Sequence, residues 1–119
     1  MIGIIGAVVE EAEAIKKEIK EIKETVISGI SFFTGKFNDR DVVFVQSGIG
    51  KVNAAITATL LIEKFKVSEV IFSGVAGSLD ERLKVGDVVI GHDIVQHDVD
   101  ATAFGYKMGQ IPQMKEWAF

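Results

Sequence analysis

The chain has 119 residues, of which 48% are hydrophobic and 25% charged, with a formal net charge of −4. This apolar content and a single proline exclude a disordered chain, and the absence of cysteine excludes disulfides and thiolate metal sites. The basic residues form no stripe, so we expect no nucleic-acid partner, and the length predicts one domain over residues 1–119.

The first predicted element is a strand in the apolar run Ile2–Ala7, which is typical of burial on both faces. The apolar stretch is shorter than a membrane span, has no basic segment before it and leads directly into Glu10 and Glu11. We therefore expect a cytoplasmic chain with no membrane partner. A helix is predicted next, because apolar residues recur at helical spacing: Ala12, Ile15, Ile19 and Ile22.

The first turn of this helix carries three carboxylates, Glu10, Glu11 and Glu13. Carboxylates at this position offset the positive end of the helix dipole, and we interpret Glu10 and Glu13 in this way. Glu11 follows the carboxyl end of the first strand, where a carboxylate could hold or deprotonate a water. We predict that Glu11 is functional.

Three strands and a long helix are predicted in the middle of the chain. β-branched and aromatic residues favour strands at Thr25–Ser28 and Ser31–Phe37. A turn at Asn38–Arg40 leads into a third strand at Asp41–Gln46. Apolar residues at helical spacing then predict a helix from Lys51 to about Lys66.

The segment Ser47–Lys51 is predicted to be a tight turn from a strand into a helix. Gly48 and Gly50 allow a close approach of the backbone to a ligand, and free N–H groups at the helix N-terminus favour anions or polar oxygens. The segment is not a Walker A loop, because Val45 replaces the first glycine and Val52 the hydroxyl residue. It also lacks the third glycine of a dinucleotide fingerprint, whose position is occupied by Asn53.

A second glycine-rich turn, Ser73–Leu79, follows a short predicted strand at Glu69–Phe72. Alternating strands and helices indicate a parallel or mixed sheet, in which both glycine turns lie at the same edge. Open sheets of this kind bind ligands beyond the carboxyl ends of their strands. Two glycine turns and Glu11 at one edge therefore predict a binding site there.

The last third of the chain contains a polar bend at Lys84–Asp87, a predicted strand at Val88–Ile94 and a loop from residue 101 to residue 112. His92 and His97 do not have the spacing of a zinc site, so we expect no metal. The loop places aromatic and thioether side chains among glycines without helical or strand periodicity. Such a loop either contacts a partner or ligand, or folds back on its own core.

Five segments occur in the order of one enzyme family: Gly3–Glu11, Ser47–Ala55, Gly74–Leu79, Leu83–Val89 and Asp100–Pro112. Together they resemble the N-terminal half of bacterial 5′-methylthioadenosine/S-adenosylhomocysteine nucleosidases, which have the nucleoside phosphorylase/hydrolase fold. The resemblance covers essentially the whole chain. It implies an α/β fold of three layers, αβα, around a central mixed sheet, truncated relative to the complete fold.

The resemblance implies hydrolysis of the N-glycosidic bond of methylthioadenosine or S-adenosylhomocysteine to adenine and a thioribose, without a cofactor. Glu11 matches the glutamate that activates the attacking water. Further positions match residues around the ribose, the 5′-thio group and the water: Val8, Ile49, Val75, Ala76 and Gly77. Others match a loop that caps the 5′-alkylthio pocket of the neighbouring subunit in a homodimer: Ala101, Phe104, Tyr106 and Pro112.

The chain departs from the family at several positions. Val75 stands where relatives often carry serine, and Val8 and Ala101 stand where bulkier side chains are common. Family members continue for about the same length beyond Phe119, and the resemblance assigns to that half the acid that protonates the purine, the glutamate that binds the ribose and the aromatic that stacks on adenine. We therefore expect the 119-residue chain alone to be inactive.

Two alternatives remain at this stage. One is a nucleoside phosphorylase of the same fold, although the phosphorylases place a proline and an arginine in the first turn, where this chain has Ala7–Glu11. Carboxylates there would repel phosphate. The other is a truncated, non-catalytic module for dimerisation or nucleoside binding.

Overall fold

The computed structural model describes residues 1–115, which fall into two compact units divided after Gly77. The single domain over residues 1–119 stays a prediction. No helix in residues 1–115 is both long enough and apolar enough to cross a membrane.

The first unit is a five-stranded mixed sheet with two helices, and its strand order is β2-β3-β4-β1-β5. The interior strand β1 pairs in parallel with β4 and β5, whereas β2, β3 and β4 are antiparallel neighbours. The elements are β1 Ile2–Gly6, α1 Val9–Glu18, β2 Lys20–Ile27, β3 Ile30–Phe37, β4 Arg40–Gln46, α2 Lys51–Phe65 and β5 Glu69–Phe72.

Strand β4 is the centre of the core, because four consecutive side chains, Val42–Val45, are at most 1% exposed. Alternate residues face opposite sides of a strand. Val43 and Val45 accordingly belong to a cluster with Leu61 of α2, and Val42 and Phe44 to a cluster with Ala12 of α1. The helices therefore cover opposite faces of the sheet, which confirms the predicted three-layer αβα arrangement.

Helix α1 is shorter than predicted, and the assignment of Ile22 to its apolar face was wrong. The helix ends at Glu18, and Ile19 already has extended backbone angles, φ −83° and ψ 126°. Ile22 lies in β2 and is 41% exposed. The helix ends here because the backbone groups of Lys20–Ile27 form hydrogen bonds with β3. These interstrand bonds replace the bonds that a longer helix would make.

The other elements of the first unit lie close to their predicted places, except that β2 begins at Lys20 and not at the predicted Thr25. The hairpin between β3 and β4 turns at Asn38 and Asp39, whose φ angles are 47° and 62°. Both residue types tolerate this left-handed conformation, which two-residue hairpins require. Helix α2 ends in a left-handed C-cap at Lys66, and β5 occupies Glu69–Phe72 as predicted.

Over residues 78–115, the second unit has one short regular element, a 3₁₀ helix at Thr102–Phe104. The bend at Lys84–Asp87 is present, because the Asp87 N–H donates to the Lys84 carbonyl at 3.0 Å. The predicted strand at Val88–Ile94 was wrong: within residues 78–115 no strand forms. A strand needs a neighbouring ladder for its backbone groups, and no element in residues 1–115 pairs with this apolar segment, of which Val88 is 91% exposed.

Candidate functional site

The candidate site begins where three parallel strands end together. Gly6 of β1 is in register with Gln46 of β4, and Ile5 with Phe72 of β5. The next residues continue this pairing: the Ser47 N–H donates to the Gly6 carbonyl at 2.9 Å, and the Ser73 N–H to the Ile5 carbonyl at 2.9 Å. The turns after β1, β4 and β5 therefore share one sheet edge, as the sequence predicted.

Glu11 is anchored at this edge by the beginning of α1. Val8 is the N-cap residue, with extended angles of φ −116° and ψ 164°, and Glu11 is the third helical residue. The Glu11 carboxylate folds back over the helix start, where Oε2 accepts hydrogen bonds from the Ala7 N–H at 3.0 Å and the Val8 N–H at 3.3 Å. This is the glutamate half of a capping box, since the Val8 side chain has no acceptor.

A third backbone donor comes from the turn after β5. The Val75 N–H donates to Glu11 Oε1 at 3.0 Å, across 64 positions of sequence. This bond is the main cause that lowers the pKa of Glu11 below 4.5, followed by the bond from Val8, while partial burial acts in the opposite direction. Glu11 is therefore ionised at neutral pH.

An ionised carboxylate held in this way has a defined chemical capacity. Two carboxylate oxygens offer about four acceptor positions, and three are occupied by backbone N–H groups. The remaining position, on Oε1, can accept a hydrogen bond from a water. The lowered pKa keeps Glu11 ionised, so it can accept a hydrogen bond from that water. The same shift makes the carboxylate a weak base, so its uptake of a proton has to accompany bond formation to the water oxygen.

The other predicted site residues of the first unit differ in their relation to Glu11. Val8 and Val75 contact it through their backbone N–H groups, whereas the Val75 side chain is 90% exposed. Ala76 and Gly77 continue the same turn and are exposed. Ile49 lies in the neighbouring turn after β4 and is 77% exposed.

The predicted loop residues lie in the second unit. Ala101 is buried within the structure, 7% exposed, and caps the start of the 3₁₀ helix. Phe104 ends that helix and is 82% exposed. The Tyr106 hydroxyl oxygen accepts a bond from the Gln113 N–H at 3.4 Å, and Pro112 is exposed beside it. A role of these residues in substrate binding stays a prediction.

Sequence reasoning missed two residues that shape the Glu11 environment, Ala7 and Gly74. Ala7 supplies one of the three N–H donors. Gly74 leaves room for the carboxylate, because a Cβ atom built on it would lie 2.8 Å from Glu11 Oε1. The available signal was topological: the turn after β5 had to lie beside the turn after β1 once the two strands paired in parallel.

The first unit also contains a cavity of about 550 Å³, which is separate from the Glu11 carboxylate. It lies on the α1 side of the sheet and is lined by residues of α1, β3 and β4, among them Glu13, Phe33 and Phe44. At this side the Lys16 ammonium lies 3.6 Å from the centre of the Phe33 ring, a cation–π contact. Ser47 and Gly48 belong to the wall of the cavity and to the turn after β4.

A comparison with protein families decides the family of this chain. The model described as "Phosphorylase superfamily" matches residues 1–119, the whole sequence. The chain belongs to the phosphorylase superfamily. The mixed sheet and the three-layer arrangement are consistent with this membership.

Curated relatives of the chain include nucleosidases. The 5′-methylthioadenosine/S-adenosylhomocysteine nucleosidases of Staphylococcus haemolyticus and Staphylococcus aureus are each 57% identical over 114 residues, which is 96% of this chain and 50% of theirs. The chain thus spans about half the length of the curated relatives it matches.

Solved structures similar to this chain likewise include nucleosidases and a related hydrolase. A methylthioadenosine/S-adenosylhomocysteine nucleosidase from Colwellia psychrerythraea in complex with adenine is 46% identical, with a TM-score of 0.95 over 99% of this chain and 48% of that one. The futalosine hydrolase of Helicobacter pylori is 39% identical, with a TM-score of 0.88 over 95% of this chain and 49% of that one.

Proposed function

We propose that this protein, in its complete form, hydrolyses the N-glycosidic bond of 5′-methylthioadenosine or S-adenosylhomocysteine, releasing adenine and a 5-thioribose. The observation that carries the proposal is the Glu11 carboxylate, held ionised by three backbone N–H groups at the carboxyl edge of the sheet. The 57% identity to nucleosidases supports the choice of substrate class.

In the proposed reaction a water held by Glu11 attacks the anomeric carbon of the ribose. The bond from that carbon to the purine nitrogen breaks and its electron pair leaves with the purine. A bond forms to the water oxygen, whose proton passes to Glu11. The departing purine needs a proton in turn, and the resemblance assigns that acid to the half of the enzyme beyond these 119 residues. Without positioned acid catalysis the rate falls by roughly two to four orders of magnitude.

A phosphorylase reaction is less compatible with the observed first turn. Glu10 and Glu11 occupy the start of α1, and the Ala7 and Val8 N–H groups that could receive a phosphate oxygen already donate to Glu11. A phosphate there would face a carboxylate at close range, which is electrostatically unfavourable. This favours water over phosphate as the nucleophile.

The proposal extends to assembly and location. The resemblance assigns Ala101, Phe104, Tyr106 and Pro112 to a loop that caps the 5′-alkylthio pocket of a neighbouring subunit in a homodimer. The 82% exposure of Phe104 supports a role in contacting something outside its own unit. The homodimer and a cytoplasmic location are parts of the proposal.

The direct test is adenine release from methylthioadenosine, with the intact mass of the preparation recorded alongside. Adenine release by a preparation whose intact mass exceeds 12.9 kDa supports a nucleosidase whose remaining part is present. Release at 12.9 kDa contradicts the assignment of the purine acid to a missing half. A rate that depends on phosphate indicates the phosphorylase instead.

Absence of release at 12.9 kDa is expected both for the N-terminal half of a nucleosidase by itself and for the remaining alternative, a non-catalytic module. In that case isothermal titration with adenine and size-exclusion chromatography measure whether the chain binds a nucleobase and dimerises. Futalosine is assayed beside methylthioadenosine and S-adenosylhomocysteine, because the Helicobacter pylori futalosine hydrolase has a closely similar structure. Preferential cleavage of futalosine contradicts the proposed substrate.

A further inference from the structure

We propose that Gly74 is a positioning residue for Glu11: the missing side chain at position 74 leaves the space that the carboxylate needs to reach the Val75 N–H. The inference deepens the proposed function and rests on it for its catalytic meaning. The geometric part stands on contacts within the first unit alone. Both residues belong to that unit.

The carboxylate lies directly against Gly74. A Cβ atom built on Gly74 would be 2.8 Å from Glu11 Oε1, 3.1 Å from Oε2 and 3.1 Å from Cδ. All three carboxylate atoms are therefore near that one position, so a methyl group would press on the whole group. Contacts of 2.8 Å are shorter than van der Waals packing of carbon allows.

Space, and not backbone conformation, is the reason for a glycine at position 74. The φ angles of Gly48 and Gly50 are 78° and 103°, in the left-handed region where other residues are strained. Gly74 is not among the residues with positive φ. An alanine at position 74 therefore causes no backbone strain of that kind. Its methyl group instead clashes with the side chain of Glu11.

That neighbour is the end of a flexible side chain, which can move. An alanine at position 74 is accommodated when the Glu11 carboxylate shifts away from the turn after β5. The shift lengthens or breaks the bond from the Val75 N–H to Oε1, now 3.0 Å, while Ala7 and Val8 can still donate to Oε2. The position of the carboxylate changes, and the fold does not.

The experiment is an NMR titration of the Glu11 carboxyl carbon in the 119-residue chain, in Gly74→Ala and in the control Gly91→Ala. A Cβ atom on Gly91 meets only Ile94 carbons at 3.7 Å, an ordinary contact. We expect the pKa of Glu11 to rise toward 4.5 in Gly74→Ala, because the bond from Val75 lowers it most. In the control we expect the wild-type pKa of Glu11. The chemical shift of the Val75 amide should change as Glu11 titrates in wild type, and should not change in Gly74→Ala. An unchanged pKa and amide response in Gly74→Ala overturn the proposal.

A second comparison covers the case in which Gly74→Ala folds poorly. In a Glu11→Ala background the clashing group is gone, so we expect Gly74→Ala to leave the unfolding midpoint unchanged there. Equal destabilisation with and without Glu11 would place the clash in the backbone and overturn the proposal. The comparison is a double-mutant cycle, which isolates the coupling between the two positions.

The activity readout distinguishes this inference from the proposed function. In a preparation that releases adenine, Gly74→Ala should lower kcat by about 100-fold with KM nearly unchanged, since a catalytic group displaced by about 1 Å costs on that order. The NMR titration needs no activity. A rise in the Glu11 pKa, together with no adenine release from the wild-type enzyme in its complete form, supports the positioning role and contradicts the nucleosidase. Normal kcat in Gly74→Ala, with adenine release intact in wild type, contradicts the positioning role alone.

Discussion

The Glu11 carboxylate has two roles in the structure. It accepts N–H donors at the start of its own helix and a third donor from the turn after β5. The first role is structural, because unsatisfied N–H groups at a helix start need partners. The second joins two strand ends at the proposed site, and it leaves one acceptor position for water.

Replacing this carboxylate by an amide should abolish hydrolysis while preserving the fold. In Glu11→Gln one oxygen becomes an NH₂ group, which cannot take a proton from water and faces a backbone N–H. In any preparation that releases adenine we expect kcat to fall by at least about 100-fold. The control is Glu13→Gln, two residues later on the same helix. Full activity in Glu11→Gln would remove Glu11 from the mechanism.

The lowered pKa of Glu11 predicts a specific dependence of stability on acid. A carboxyl whose pKa is lower in the folded than in the unfolded chain stabilises the fold above its unfolded pKa, and this contribution disappears as the pH falls through the folded value. The stability difference between wild type and Glu11→Gln should therefore be largest at neutral pH and shrink below pH 4.5.

Urea titrations at several pH values measure this difference. Other carboxylates with lowered pKa, at Asp41, Asp80 and Asp100, are present in both proteins and cancel in the comparison. A difference that stays constant from pH 7 to pH 3 would show that Glu11 has the same pKa in the folded and unfolded chains.

At the scale of elements, helix α2 is held to the sheet mainly by its buried face. Leu61 is fully buried against Val43 and Val45 of β4, and the partly buried Ala58 and Leu60 pack beside it. Thr57 lies on this face as well, at 0% exposure, and its hydroxyl has no hydrogen-bond partner among residues 1–115. A buried hydroxyl without a partner lowers stability.

Thr57→Val should therefore stabilise the chain, by about 1 kcal/mol, because it replaces the unpaired hydroxyl by a methyl group of similar size. The control is Thr59→Val on the same helix, where the hydroxyl is exposed and donates to the Ala55 carbonyl at 2.8 Å. Urea denaturation of both variants measures the change. A loss of stability in Thr57→Val would mean that the hydroxyl has a partner, such as a bound water.

At the scale of the whole molecule, much apolar surface is open. All four residues of the edge strand β5 are exposed, with Phe72 at 61%, and Val88 and Ile90 in the second unit are 91% and 89% exposed. Monomeric proteins rarely leave such surface uncovered. The relatives have about twice this length, and their structures extend well beyond the matched half.

The proposed homodimer predicts an effect of the exposed loop on substrate affinity. Phe104→Ala should raise KM for methylthioadenosine by about 10-fold or more in an active preparation, since burying a phenylalanine contributes about 1.5–3 kcal/mol. The control Val85→Ala removes an apolar side chain outside the loop that is even more exposed than Phe104. Size-exclusion chromatography follows the dimer. Unchanged KM and unchanged dimerisation in Phe104→Ala would contradict the assignment of the loop.

Local patterns in the sequence were sufficient for most of the first unit. The apolar runs at Ile2–Gly6, Val42–Gln46 and Glu69–Phe72 became parallel strands, and helical spacing after Gly50 became α2. The same reasoning placed Glu11 beside two glycine turns, because parallel strands with helical crossovers end at one edge. These features depend on residue type and short-range spacing, which a sequence displays directly.

Tertiary structure alone decided the features that depend on a distant partner. Ile22 continues a helical pattern but lies in a strand, because β3 offers its residues a ladder, whereas Val88–Ile94 has the composition of a strand and forms none without a partner. The contact of Glu11 with Gly74 and Val75 likewise spans more than 60 residues. Hydrogen bonds and close packing are satisfied between groups that meet only after folding, so no local pattern contains them.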